Sequence, residues 1–279
     1  GNPASVWVDD LEFTAEPYKI PRNVGEAFKT PYTREQVLDR LGERQSTTAE
    51  MVTRDSRTML MVDERVTPPV IYKGLSPTKA DYHGMASAGV DLVTVGVRIG
   101  GQRNQVGPWH GARQFDFEAS EDALIEALRK NPDAVLILDL WVYPYIKWGQ
   151  ENLEEVWIND KGEYAYGWWG NLEGFTDDPT LASVDTPQRT RWLYPSYQSE
   201  KWRQDAGEAV TKLIEHLRGT PAWKAVGGVF ITGGHDGQYV TMFGQYDYSP
   251  TTLRKFRAWL KQRYEVIGRA NASWGSNYS

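Results

Sequence analysis

The 279-residue chain contains no cysteine, which excludes disulfides and thiolate zinc sites. It has no dense block of Lys and Arg: 31 basic residues against 37 acidic ones give a formal charge of −6. Nucleic acid and anionic membrane surfaces are therefore disfavoured as partners. Long hydrophobic runs are missing too, and the longest, AVLILDLWV at 134–142, is far too short to span a bilayer. The opening GNPASVWVDD has neither the basic start nor the apolar stretch of a signal peptide. No G-x-G-x-x-G follows the first strand of the main repeat, and there is no H-x-H or H-E-x-x-H spacing. Neither a nucleotide cofactor nor a metal is expected.

What is present is a foldable composition, with 40% hydrophobic and 13% aromatic residues, including 12 Trp and 15 Tyr. Core packing accounts for many of these rings. Aromatic platforms in an open site account for others, and the acidic balance favours sugars over nucleic-acid bases as the stacking partner.

Organisation changes along the chain. Residues 1–16 alternate apolar and polar positions (Val6, Val8, Leu11, Phe13) and read as one strand, either the last of an upstream β-module or an added edge strand. Residues 17–65 read as a proline-containing linker followed by a polar, weakly helical segment. From residue 66 to 279 apolar strands alternate with helices. PPVIYKGL, VDLVTVGVR, DAVLILDLW and GGVFIT are the strands. The helices carry start signals at Ser76–Pro77, Ser120 and Ser249–Pro250, and 196–218 holds Trp202, Ala206, Ala209, Val210, Leu213, Ile214 and Leu217 at helical spacing. Four strand–helix units in a row imply an α/β fold with parallel strands. An open doubly wound sheet and a (β/α)8 (TIM) barrel both satisfy this. The long aromatic loops after strands two and three favour the barrel, whose sites lie at the carboxyl ends of its strands. Only about the first four βα units are present. The rest of the same polypeptide, or another chain, is expected to complete the barrel.

The C-terminal run FRAWLKQRYEVIGRANASWGSNYS contains Phe256, Arg257, Trp259, Leu260, Lys261, Tyr264, Asn271, Trp274 and Gly275, and it resembles glycoside hydrolase family 42. GMASAGVDLVTVGV, FDFEASEDALIEAL and VWINDKGEYAYG fit the same family, so the resemblance covers roughly residues 70–279. It implies a β-galactosidase-type retaining hydrolase on a (β/α)8 barrel. The substrate is then an oligo- or polysaccharide, and the location secreted, periplasmic or cell-surface. The opening stretch SVWVDDLEFTAEP looks like the closing strand of a carbohydrate-binding β-sandwich.

One departure falls on the chemistry. In the family, strand four ends in an Asn-Glu pair whose Glu is the general acid/base. Here GGVFITGGHDGQYV, residues 227–240, puts Gly233 and Gly234 at those positions. A retaining hydrolase needs a protonatable carboxyl and a nucleophilic carboxylate about 5 Å apart. Asp236 lies two residues beyond the usual position. His235, with an ordinary pKa of about 6.5, is a second candidate acid. Catalysis by this pair, sugar hydrogen bonding by it together with Gln238, and a plain glycine turn all remain open. The nucleophile is expected outside the chain.

Other candidate contacts follow from strand ends. Asp139 and Trp141 share a face of strand three by alternation, and Asp139 reads either as a substrate contact or as a charge paired inside the barrel. Tyr143 follows them, and both Trp141 and Tyr143 read either as sugar-facing aromatics or as core packing. Arg98 ends strand two, where the clan often places an arginine beside the nucleophile. Trp109 and His110 are expected at the rim. His83 and His216 read as ordinary helix residues. The alternative function is a carbohydrate-binding protein that keeps the scaffold and has lost the acid.

Overall fold

The computed structural model describes residues 30–74, 76–100, 107–145, 147–164, 193–232 and 246–278. The expected strand at 1–16 lies outside them. The described chain opens with helix α1, Arg34–Glu43, started by a capping box. The Thr33 side chain accepts from the Gln36 amide, and the Gln36 side chain accepts from the Thr33 amide.

The weakly helical reading of the next stretch does not hold. Residues 49–67 form an antiparallel meander of β1 (Ala49–Arg54), β2 (Arg57–Val62) and β3 (Arg65–Thr67). Its two tight turns place Asp55, Ser56, Asp63 and Glu64 at positive φ, between 47° and 64°. That is the mirror-image turn geometry that joins twisted strands. These turns contain no glycine or asparagine, so the usual hairpin signal is missing from the sequence.

The main sheet follows. Strand β4 (Tyr72–Gly74) leads to helix α2 (Tyr82–Ser87), and β5 (Leu92–Arg98) leads through the small hairpin β6 (Trp109–Gly111) and β7 (Gln114–Phe115) to helix α3 (Glu118–Lys130). Strand β8 (Val135–Trp141) is followed by the short helix α4 (Trp148–Glu151) and the long helix α5 (Glu200–Arg218). Strand β9 (Val226–Thr232) precedes helices α6 (Pro250–Tyr264) and α7 (Ile267–Trp274). Strands β4, β5, β8 and β9 are all parallel and hydrogen-bonded in that order.

Two features separate this arrangement from a doubly wound sheet. The strand order never reverses, so there is no switch point. Helices α1, α2, α3 and α5 also share one core with the sheet. Val93, Val95 and Val97 of β5 and Leu136, Leu138 and Leu140 of β8 point into a single core with Val37, Leu41, Leu124, Leu128, Leu213 and Leu217. The alternate residues face the other side of the sheet, the inner side of the expected barrel. The described main sheet is thus a four-stranded parallel sheet in an α/β arrangement. Burying each of these leucines is worth about 1.5–3 kcal/mol.

Two helix starts differ from the sequence reading. Helix α2 begins at Tyr82, with Asp81 accepting from the Gly84 amide, rather than at Ser76–Pro77. The intervening turn is held from outside by Lys130 Nζ, which donates to the carbonyls of Pro77, Thr78 and Ala80. Helix α3 begins at Glu118, whose amide is taken by Asp116 Oδ1, so Ser120 is buried in the first turn and is not the cap. The caps Ser199 of α5 and Ser249 of α6, with Pro250 next to it, are as the sequence indicates.

The meander closes the amino-terminal end of the sheet. Val62 packs with Leu92 and Val135, the first residues of β5 and β8, and Leu60 lies against them. The carboxyl end is left for the site.

Candidate functional site

Parallel register sorts this inner face into rows. Lys73, Thr94 and Ile137 form one, Gly96, Asp139 and Phe230 the next, and Arg98, Trp141 and Thr232 the third. The sequence-predicted Arg98, Asp139 and Trp141 therefore meet at the carboxyl end of the sheet.

Asp139 is fully buried. The Thr232 hydroxyl donates to its Oδ1 at 2.8 Å, and Lys73 Nζ stands 3.6 Å from Oδ2. Oδ2 itself accepts no hydrogen bond. The Lys73 ammonium also lies 5.9 Å from the Trp141 ring centre and 5.7 Å from that of Phe230, within cation–π range. Asp139 thus faces Lys73 of β4 and Thr232 of β9. Trp141 and Arg98 are both part-exposed on the same face.

Above this row the chain builds an aromatic cluster. Tyr143 packs with Trp157 and Tyr194, and Trp141 and Tyr197 lie against them. Trp157 meets Tyr194 and Tyr197 edge-on, with ring centres 5.7 Å and 6.1 Å away. Its indole N–H is buried without a hydrogen-bond partner. The segment carrying it is held by the Trp157 amide donating to the Tyr194 carbonyl and the Ser196 amide donating to the Glu155 carbonyl.

Trp109 is not at a rim. It is 3% exposed and sits in the helix-side core, stacked on Trp202 at 6.1 Å and edge-on to Tyr145 at 5.0 Å. Its partners are distant in sequence, which is why a loop position misled the reading. His110, next along β6, is exposed. Tyr145 donates to Glu151 Oε2 at 2.5 Å, and burial together with that bond pushes its phenol pKa upward. His235, Asp236 and Gln238 lie outside the described residues. Among the described residues no cluster of three or more His, Asp or Glu side chains is arranged to hold a metal. Three residues were not singled out from sequence: Phe230 and Thr232 on this face of β9, and Trp157 in the aromatic cluster. Strand alternation alone points Phe230 and Thr232 inward, and this was the available signal. Trp157 offered none.

A parallel sheet with polar and aromatic side chains at the carboxyl ends of its strands defines an α/β protein. Comparison narrows it further. Residues 184–279 match the family model of glycoside hydrolase family 42, described as β-galactosidase. Over 198 residues the chain is 25% identical to β-galactosidase BbgII of Bifidobacterium bifidum, a match covering 71% of this chain and 24% of that protein. The chain thus spans about a quarter of the length of this curated relative. Both matches make the chain similar to glycoside hydrolase family 42 over these stretches.

Proposed function

We propose that the chain belongs to a glycoside hydrolase that cleaves galactoside-type bonds in an oligo- or polysaccharide. The observation that carries this reading is the family match over 184–279, which spans α5, the fourth parallel strand β9 and the helices α6 and α7 that follow it. The row of Arg98 and Trp141 supports it with a donor-rich guanidinium and a stacking surface on one face, the pairing that sugar sites use. A carboxylic acid protonates the leaving oxygen, and a carboxylate supplied beyond these four strands attacks the anomeric carbon. With Gly233 and Gly234 at the family's Asn-Glu positions, Asp236 is the first candidate acid and His235 the second. Further polypeptide supplies the remaining strands, and a secreted or cell-surface location accompanies a polymeric substrate.

The same glycine pair favours a second reading, a carbohydrate-binding protein that has lost the acid. A fold alone does not choose between them. The full-length protein, assayed on aryl β-galactosides and on plant and algal glycans, decides. The hydrolase reading expects turnover that falls by about 10²-fold or more in Asp236→Asn or His235→Ala with sugar binding retained. Glycan binding without turnover across the panel overturns it in favour of the binder.

A further inference from the structure

Asp139 is an expensive residue for its position. A carboxylate with no solvent exposure is tolerated when its partners are close and complete. Here one oxygen has a single short hydrogen bond and the other has none. The ammonium at 3.6 Å lies beyond ordinary N–H···O distance. Its side chain is 44% exposed, so water weakens the attraction. An apolar residue of similar volume serves packing at this point at least as well.

The geometry suggests what the carboxylate does instead. Lys73 lies on β4 and Asp139 on β8, two strands apart with β5 between them. That separation is about 9.6 Å at ordinary strand spacing. The residue of β5 in register with Asp139 is Gly96, which has no side chain to stand between them. Lys73 therefore passes over β5 to Asp139. On the other side Asp139 takes the hydroxyl proton of Thr232, the last residue of β9. The Leu140 carbonyl lies 3.2 Å from the same hydroxyl, farther than Oδ1, and the charged acceptor is the stronger one. The Thr232 carbonyl in turn accepts from the Val142 amide at 2.9 Å, just before Tyr143. One buried carboxylate thus ties three strands together immediately below the row that holds Arg98 and Trp141.

We propose that Asp139 is a positioning residue, which acts through the Thr232 hydroxyl to fix the carboxyl end of β9 against Trp141 and Arg98, with Lys73 reaching over Gly96 to its second oxygen. The inference rests on the glycosidase reading for its catalytic consequence, but not for its structural one. It removes Asp139 from the substrate contacts and assigns the selection of geometry at this row to Lys73, Asp139 and Thr232 together.

The test uses the full-length protein with Thr232→Val, Thr232→Ser, Asp139→Ala, Asp139→Asn and Gly96→Val. Thr232→Val and Asp139→Ala are expected to lower kcat about 10-fold or more with KM within about twofold, because geometry is lost and ground-state contacts are kept. Thr232→Ser restores the wild-type rate. Asp139→Asn keeps an acceptor oxygen for Thr232 and falls between wild type and alanine. Gly96→Val separates Lys73 from Asp139 and lowers kcat similarly to Asp139→Asn. The double variant Asp139→Ala with Thr232→Val is no slower than the slower single variant, as for two groups acting as a unit. Hydrogen exchange at the Val142 amide is expected to accelerate about 10-fold or more in both single variants. Unchanged kcat together with unchanged Val142 protection in Asp139→Ala overturns the proposal, as does full additivity in the double variant. If the wild type turns over no glycoside at all, the glycosidase reading has failed separately. Val142 exchange then decides alone, with acceleration supporting the positioning role and no change refuting it.

Discussion

Lys130 shows how much a single buried charge organises here. It is 2% exposed, and burial lowers its pKa while Glu126 and Asp81 push it back up. Its ammonium hydrogens go to three carbonyls of the 77–80 turn, at 2.5, 3.0 and 3.1 Å. That turn delivers the chain from β4 into α2, where Tyr82 donates to the Thr94 carbonyl at 2.8 Å. Gly74, at the end of β4, allows the phenol to come so close: a β-carbon there would lie 2.5 Å from the Tyr82 oxygen. Lys130→Met preserves the packed stem and removes the donors, leaving the carbonyls without them. The expected loss is about 2–4 kcal/mol of unfolding free energy, measured by urea denaturation. A loss below about 1 kcal/mol shows that water replaces the ammonium. None of this was legible from Lys130 as a residue. At the end of an amphipathic helix it reads as a solvated charge, because the carbonyls it serves are about fifty positions away in sequence.

Elements were legible where their own residues specify them. The strands VDLVTVGVR and AVLILDLWV announced themselves by unbroken apolar runs, and Ser199 and Ser249 cap their helices as their positions suggest. The meander was not legible, since Asp55–Ser56 and Asp63–Glu64 reach positive φ without glycine, Asp63 being helped by its side chain accepting from the Thr48 amide. Junctions between elements were also hidden. Helices α5 and α6 are joined by Glu200, which accepts from Lys255 and Arg203. The Lys255 bond is the larger cause holding the Glu200 carboxyl below its usual 4.5. A depressed carboxyl contributes above about 4.5 and loses its contribution as pH falls through its lowered folded value. Lys255→Gln is therefore expected to move the Glu200 titration upward toward 4.5, read by NMR. An unmoved titration shows that Arg203 alone sets it.

The whole sheet followed from sequence because strand-then-helix repetition carries it. What joins the strands at the site did not, since Lys73, Gly96, Asp139 and Thr232 meet only through register. One further property belongs to this scale. Val229 and Ile231 of β9 are 44% and 53% exposed, and Phe256 and Trp259 of α6 are exposed and stacked on each other. Apolar surface and a strand edge together favour association. The chain by itself is expected to self-associate with rising concentration, seen by light scattering after size exclusion. Val229→Lys with Ile231→Lys shifts it toward monomer, and an unaltered distribution places the contact elsewhere. At the opposite pole the arrangement has a different consequence. Leu60 and Val62 of the meander seat beneath Leu92 and Val135, on the far side of the sheet's length from Arg98 and Trp141. Substitutions that tighten this packing are therefore free to raise resistance to heat while leaving Arg98 and Trp141 where they stand.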